Sequence, residues 1–168
     1  MHLWKELLCK AYVEAQKSPD PSTKTGALVV WRKDDVHHIW GRGCNRFLDG
    51  VEVTQERLTA PLKYMCIAHA ECIAIFDALK SLKTPLSAMT MVAPWAACSN
   101  CGKTIIMSGI KTLVRHKQAH LQSAGNLKWK EEIEVADIMM REAGIKIIEY
   151  DGAVGAPPSL ASGQYWNP

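Results

Sequence analysis

Apolar positions recur every three to four residues over residues 3 to 17, where Leu3, Leu7, Leu8, Ala11 and Ala15 share a face and Lys5, Glu6, Lys10, Glu14 and Lys17 lie elsewhere. That spacing predicts an amphipathic helix, ended by Ser18-Pro19-Asp20-Pro21. Gly26 to Trp31 is a short run of strand formers, Arg32-Lys33-Asp34-Asp35 a polar turn, and Val36 to Gly43 a returning strand, so the three predict a hairpin. Residues 44 to 68 show no steady period and contain Asp49-Gly50 and Pro61. A connection of that length inside a compact domain is usually functional. Helical spacing returns from His69 to Leu82 through Ile73, Phe76, Ala78 and Leu79, and Thr84-Pro85 ends it. Met89 to Ala93 follows as a strand, Cys98 to Ser108 as a helix closed by Gly109, and Lys111 to His116 as a strand. Trp129 to Ala143 carries Ile133, Ala136, Met139 and Met140 on one helical face with Gly144 as its cap, and Ile145 to Tyr150 is the last strand. From Gly152 onward, Pro157-Pro158 and scattered Gly, Ser and Ala predict an extended or mobile tail.

Strands joined through a helix are normally parallel, with a right-handed crossover. The order therefore predicts an α/β fold with one mixed sheet of five strands, covered by helices on both faces as a three-layer α/β/α sandwich. Residues 1–150 read as a single domain and residues 151–168 as its tail.

A chain of 168 residues buries roughly two-thirds of its unfolded surface, enough to hold a buried site without disulfides. No apolar run approaches the ~20 residues of a membrane span, which disfavours a membrane role. The opening Met1-His2-Leu3-Trp4-Lys5-Glu6 does not read as a signal peptide, so the expected compartment is the cytoplasm. In that setting Cys9, Cys44, Cys66, Cys72, Cys98 and Cys101 point to metal binding, reactivity or burial rather than to bridges. The net charge of +3 is spread along the chain without the basic stripe of a duplex binder, which disfavours nucleic acid and leaves small anionic substrates open.

Two fragments carry candidate chemistry, His69-Ala70-Glu71 and Cys98-Ser99-Asn100-Cys101, each at a predicted helix start. Residues three apart on a helix share a face, and the positive end of the helix dipole favours thiolates. His69, Cys98 and Cys101 thus make three ligands for a zinc ion, the count that leaves one tetrahedral position open for water. Glu71 follows His69 by about 200° of ideal helix, so His69 is expected at the cap or first position, with Glu71 reaching the bound water as proton shuttle. This is the arrangement of zinc deaminases, which attack carbon 4 of cytosine or carbon 6 of adenine. Alone, a His-x-Glu is common on helix surfaces, and a Cys-x-x-Cys preceded by Trp95 also fits a redox pair; the two at matching helix starts favour the metal. Cys9, Cys44, Cys66 and Cys72 read as structural.

With these residues in view the chain resembles the cytidine/deoxycytidylate deaminase superfamily, and within it the deoxycytidylate deaminases, including those of phages. The resemblance runs over most of residues 4 to 150 and rests on Asp20-Pro21-Ser22-Thr23-Lys24-Thr25-Gly26-Ala27, Gly43-Cys44-Asn45, His69-Ala70-Glu71-Cys72-Ile73-Ala74-Ile75, Ala93-Pro94-Trp95, Ser108-Gly109-Ile110 and Ala143-Gly144-Ile145. Ala97 stands where the family usually has Pro before its first metal-binding Cys. The resemblance implies hydrolysis of deoxycytidine monophosphate (dCMP) to deoxyuridine monophosphate and ammonia. It also implies that the backbone at Ala70 and Trp95 grips the cytosine edge, that Asn45 contacts sugar or base, and that polar residues near Lys24 approach the phosphate. Read as residues alone, Asn45 also suits a strand-end turn, Lys24 a solvated loop and Trp95 the core. Arg46, Arg57, Lys63, Arg115, Lys117 and His120 are further phosphate-clamp candidates, unranked. A deaminase acting on deoxycytidine triphosphate or on a base in nucleic acid, and a non-catalytic zinc module, are the alternatives. A symmetric homo-oligomer, dimer or hexamer, is expected from the resemblance.

Overall fold

A computed structural model describes residues 2–34, 36–81, 84–125 and 127–168. Helix α1 (His2–Ala15) precedes strands β1 (Gly26–Lys33) and β2 (Val36–Cys44), and the long connection contains one helical turn, α2 (Lys63–Cys66). Then follow α3 (Ala70–Leu79), β3 (Met89–Val92), α4 (Ser99–Ser108), β4 (Thr112–His116), α5 (Lys117–Ala124), α6 (Leu127–Glu142) and β5 (Lys146–Tyr150). A C-terminal hairpin pairs β6 (Ser159–Ala161) with β7 (Gln164–Trp166). The expected end of α3 at Leu82 lies outside the described residues, as does Asp35 of the β1–β2 turn.

The five-stranded sheet has the order β2-β1-β3-β4-β5. β1 runs antiparallel to both neighbours, while β3, β4 and β5 are parallel, as the helices between them require. Alternation along β1 sends Ala27 and Val29 to one face and Leu28 and Val30 to the other, and all four are buried. The first face packs on α3, α4 and α6 through Ala74, Ile75, Ile105, Ala136 and Met140. The second packs on α1 through Leu7, Leu8, Ala11 and Tyr12, joined by Val154 and Trp166 of the C-terminal segment. The three-layer α/β/α sandwich follows from these two cores. Among the described residues, no helix is long and apolar enough to cross a membrane.

Gly43 sets where α3 begins. A Cβ there would lie 2.2 Å from the Ala70 carbonyl oxygen and 2.6 Å from the Ala74 nitrogen, so glycine lets β2 press directly on the first turn of that helix. His69 caps this turn and Glu71 lies within it.

Two elements depart from the sequence expectation. Lys117–Ala124 forms a helix although Lys-Gln-Ala-His-Leu-Gln-Ser-Ala has no apolar stripe; its one fully buried anchor is Ala119. The tail, expected to be extended, turns back at Ser162-Gly163 and buries Ser159, Leu160 and Pro168. Its short strands lack the length that marks a hairpin from pattern alone.

A candidate metal centre at two helix starts

His69 is the N-cap of α3 with ψ 150°, and Cys98 is the N-cap of α4 with ψ 173°. Both caps are extended, which points their side chains beyond the helix ends toward one another. Cys101 follows one turn into α4 and is fully buried. Nδ1 of His69 lies 3.4 Å from Sγ of Cys98 and 3.3 Å from Sγ of Cys101, and the three ligating atoms all fall within 4.8 Å of one another. A tetrahedral zinc with bonds of about 2.0–2.1 Å to nitrogen and about 2.3 Å to sulfur places N and S about 3.5 Å apart, so the donor set fits zinc in both type and spacing. Among the described residues this is the group of three or more His, Cys, Asp or Glu with metal-holding geometry.

The groups titrate as a unit. Hydrogen bonds from Cys101 and His69 pull the Cys98 thiol down to about 4 against the effect of burial, giving the thiolate a metal requires. His69 is pushed up to about 9, first by its hydrogen bond to Cys98. Hydrogen bonds with Cys72 and Cys98, and burial, push the Cys101 thiol well above the ordinary thiol range. Cys72 is pulled down to about 6, first by its hydrogen bond with Cys101, and its Sγ lies 3.5 Å from Thr104 Oγ1, outside the three-ligand group. Glu71, 7% exposed, is pushed up to about 7 by burial, with Oε2 3.5 Å from Cys101 Sγ.

A cavity of about 810 Å³ opens onto this cluster, lined by His69, Glu71 and Cys98. Asn45 and Trp95, both expected at the site, line it too. Asn45 is locked in place: Oδ1 accepts from the Thr25 N–H at 2.8 Å and Nδ2 donates to the Thr23 carbonyl at 2.9 Å. The buried Trp95 indole N–H has no hydrogen-bond partner in the protein, an arrangement that favours an acceptor brought by a ligand or water. Ala70, buried at the head of α3, lies behind the lining rather than on it. Lys24 does not line the cavity, and its Nζ donates to the Gln16 carbonyl at 3.3 Å.

The clamp candidates separate sharply. Arg115 is 1% exposed and holds Asp137 with two bonds of 2.7 and 2.9 Å and Glu149 with two of 3.0 and 2.7 Å, so it joins β4, α6 and β5 and faces no ligand. Arg46 is held by Asp49, Arg57 by the Glu52 carbonyl and Lys117 by Asp151, all away from this cavity. Lys63 alone among the described lysines and arginines lines it. Its Nζ donates to Asp20 Oδ1 at 2.9 Å and to Ser22 Oγ, and Asp20 also accepts from the backbone of Ser22 and Thr23. Trp129, whose ring lies 6.5 Å from that of His69, and Tyr64, 5.7 Å from Trp129, add walls that no periodic signal marked.

Fold and site together define a class: an α/β/α domain with a His-Cys-Cys group of metal-holding geometry at two helix starts and a buried carboxyl beside it. A family model described as the cytidine and deoxycytidylate deaminase zinc-binding region matches residues 1–117, and the chain belongs to that family. It is 31% identical over 118 residues to the deoxycytidylate deaminase of Homo sapiens, across 66% of this chain and 63% of the human protein. To the deoxycytidylate deaminase of Mus musculus it is 28% identical over 149 residues, across 84% of this chain and 76% of the mouse protein. A crystal structure of the dCMP deaminase of cyanophage S-TIM5 in complex with dCMP and dUMP shares the fold, with a TM-score of 0.65 at 18% identity, covering 89% of this chain and 97% of that one.

Proposed function

We propose that the protein hydrolyses dCMP to deoxyuridine monophosphate and ammonia, with His69, Cys98 and Cys101 holding one zinc ion. The observation that carries this reading is Glu71, a buried carboxyl that is not needed as a ligand yet lies against the three-ligand cluster. Bound there, zinc supplies Lewis acidity and lowers the pKa of a water to about 7. Glu71 would take a proton from the water that attacks carbon 4 and pass it to N3, then carry the remaining hydroxyl proton to the amine, so that the carbon–nitrogen bond breaks with loss of ammonia as the uracil carbonyl forms. Trp95, Trp129 and Ile133 line the cavity beside the cluster and give it an apolar wall. Asn45 and the backbone at Trp95 take the polar edges of the nucleoside, while Lys24 holds the C-terminal hairpin through its backbone N–H, away from the cavity.

Lys63 is the one lysine or arginine among the described lining residues, and Asp20 already neutralises it. A cavity so sparing in positive charge suits a monophosphate better than a triphosphate, whose added charges would meet no partner. Exposed Phe76 and Leu79 on α3 and Met107 on α4 support a symmetric oligomer, and six free cysteines support a reducing compartment such as the cytoplasm.

Ammonia release from dCMP and from deoxycytidine tests the reading. Deoxycytidine is expected to be poorer by at least about tenfold in kcat/KM, the factor that 1.4 kcal/mol represents. Glu71→Gln is expected to keep its zinc while losing about 10²–10⁴-fold in kcat. Equal rates on the two substrates sink the nucleotide assignment, and an active Glu71→Gln sinks the mechanism.

A further inference from the structure

The tip of the β6–β7 hairpin reaches the mouth of the cavity, beyond the residues 1–117 that match the family. The lining residues sort by exposure: Glu71, Cys98 and Trp95 are buried and form the floor, while Ser162, Gln164 and Leu121 are exposed and form the rim. Ser162 and Gly163 make the two-residue turn between the paired Ala161 and Gln164, with φ of 49° and 79°. Two left-handed residues give the turn that best matches strand twist, but a serine adopts that conformation only when its surroundings hold it there.

Those surroundings are the loop that carries the polar half of the cavity. Gly163 N–H donates to the Ser22 carbonyl at 2.8 Å, Ser162 N–H to Thr23 Oγ1 at 3.1 Å, and Lys24 N–H returns a bond to the Leu160 carbonyl at 2.9 Å. Asp20 and Lys63 grip the same loop from the other side. The far end of the hairpin is anchored by Trp166, whose ring stacks on His116 at 5.8 Å and meets Trp95 edge-on at 5.8 Å.

We propose that this hairpin tip is a specificity-determining wall, in which Ser162 and Gln164 contact the sugar-phosphate end of a bound pyrimidine nucleotide and the tip's backbone bonds position Ser22 and Thr23 for the same end. The inference rests on the nucleotide reading above: with the base at the buried metal cluster, sugar and phosphate extend toward the rim. Neutral hydroxyl and amide groups there supply the hydrogen bonds that the single, already paired lysine does not.

The test uses the full zinc-loaded chain with Ser162→Gly, Gln164→Ala and the double variant, reading kcat and KM for dCMP together with thermal midpoint and zinc content. Each single change is expected to raise KM about two- to tenfold, the span of one neutral hydrogen bond, with kcat within about twofold, because the lost contact serves ground and transition state alike. Ser162→Gly is expected to melt no lower than the parent, since glycine accepts the positive φ. A double variant whose KM rises less than threefold overturns the proposal, and so does a KM change that appears only with a lower melting point or lost zinc. A parent protein inactive on dCMP overturns the nucleotide reading first and this inference with it.

Discussion

Replacing Lys63 by methionine removes one half of a buried ion pair whose side chains are 7% (Lys63) and 5% (Asp20) exposed. Breaking such a pair costs about 3–5 kcal/mol, because the remaining charge stays buried without its partner. Asp20 keeps its bonds from the Ser22 N–H at 2.8 Å and the Thr23 N–H at 3.0 Å, which places the expected loss at the lower end, about 3 kcal/mol. For a chain of this size that is a fall in melting temperature of about 6–12 °C. The loss also carries a pH signature. In the parent, burial pushes the Asp20 carboxyl up, but the bonds from Lys63, Ser22 and Thr23 outweigh it and hold the pKa below the ordinary value. A depressed folded pKa contributes stability that is present above the unfolded value of about 3.9 and is lost as pH falls through the folded one. With Lys63 gone the burial effect gains ground, the carboxyl moves up, and acidification relieves the variant while it begins to weaken the parent. Thermal melts of both proteins at fixed zinc, from pH 8 down to about pH 3, should therefore show a gap that is level above about pH 5 and narrows below it. The double change Asp20→Asn, Lys63→Met should recover part of the loss, since no buried charge is left unpaired. A gap below about 2 °C, or one that does not change with pH, refutes this account of the pair.

Cys98→Ser should lower zinc content from about one ion per chain to well below it, as read by metal analysis after gel filtration; unchanged content would remove the site. Arg115→Met should cost about 3–5 kcal/mol by leaving Asp137 and Glu149 without their shared partner, measured by urea unfolding, with KM for dCMP unaltered in the folded fraction. A raised KM at unchanged stability would instead return Arg115 to the substrate. Light scattering should find a dimer or larger symmetric assembly, and a fully active monomer would contradict it.

The local regularities of the chain determined most of the scaffold. Period-3.6 stripes marked α1 and α6, and short β-branched runs marked the strands, because each of these elements buries one face and its apolar spacing records that burial. On α3 the expected stripe is only partly the buried one: Phe76 and Leu79 are exposed, and Ala70, Ala74, Ile75 and Ala78 face the sheet. The parallel β3-β4-β5 order followed from the helices between them. The grouping of His69, Cys98 and Cys101 was legible for a related reason: cap positions and i,i+3 spacing are short-range geometry, and few residue types can hold a metal ion.

Tertiary structure alone decided which polar groups meet. Arg115 and Lys63 are both basic residues that sequence placed in one unranked set, yet one is enclosed by Asp137 and Glu149 and the other faces the cavity beside Asp20. Their partners lie 22, 34 and 43 positions away, and a hydrogen bond between distant residues leaves no periodic trace in either segment. The helix α5 has too weak an apolar face to announce itself and is held by β4 and α6. The tail carries a local signal in Ser162-Gly163, a turn dipeptide between short runs, but its role at the rim depends on Trp166 reaching His116 and Trp95 across the chain. Spacing along a chain thus reports what one element does with its own faces, whereas the walls of the cavity are made where unrelated segments cross, and that is set only when the whole sheet and its two layers are packed.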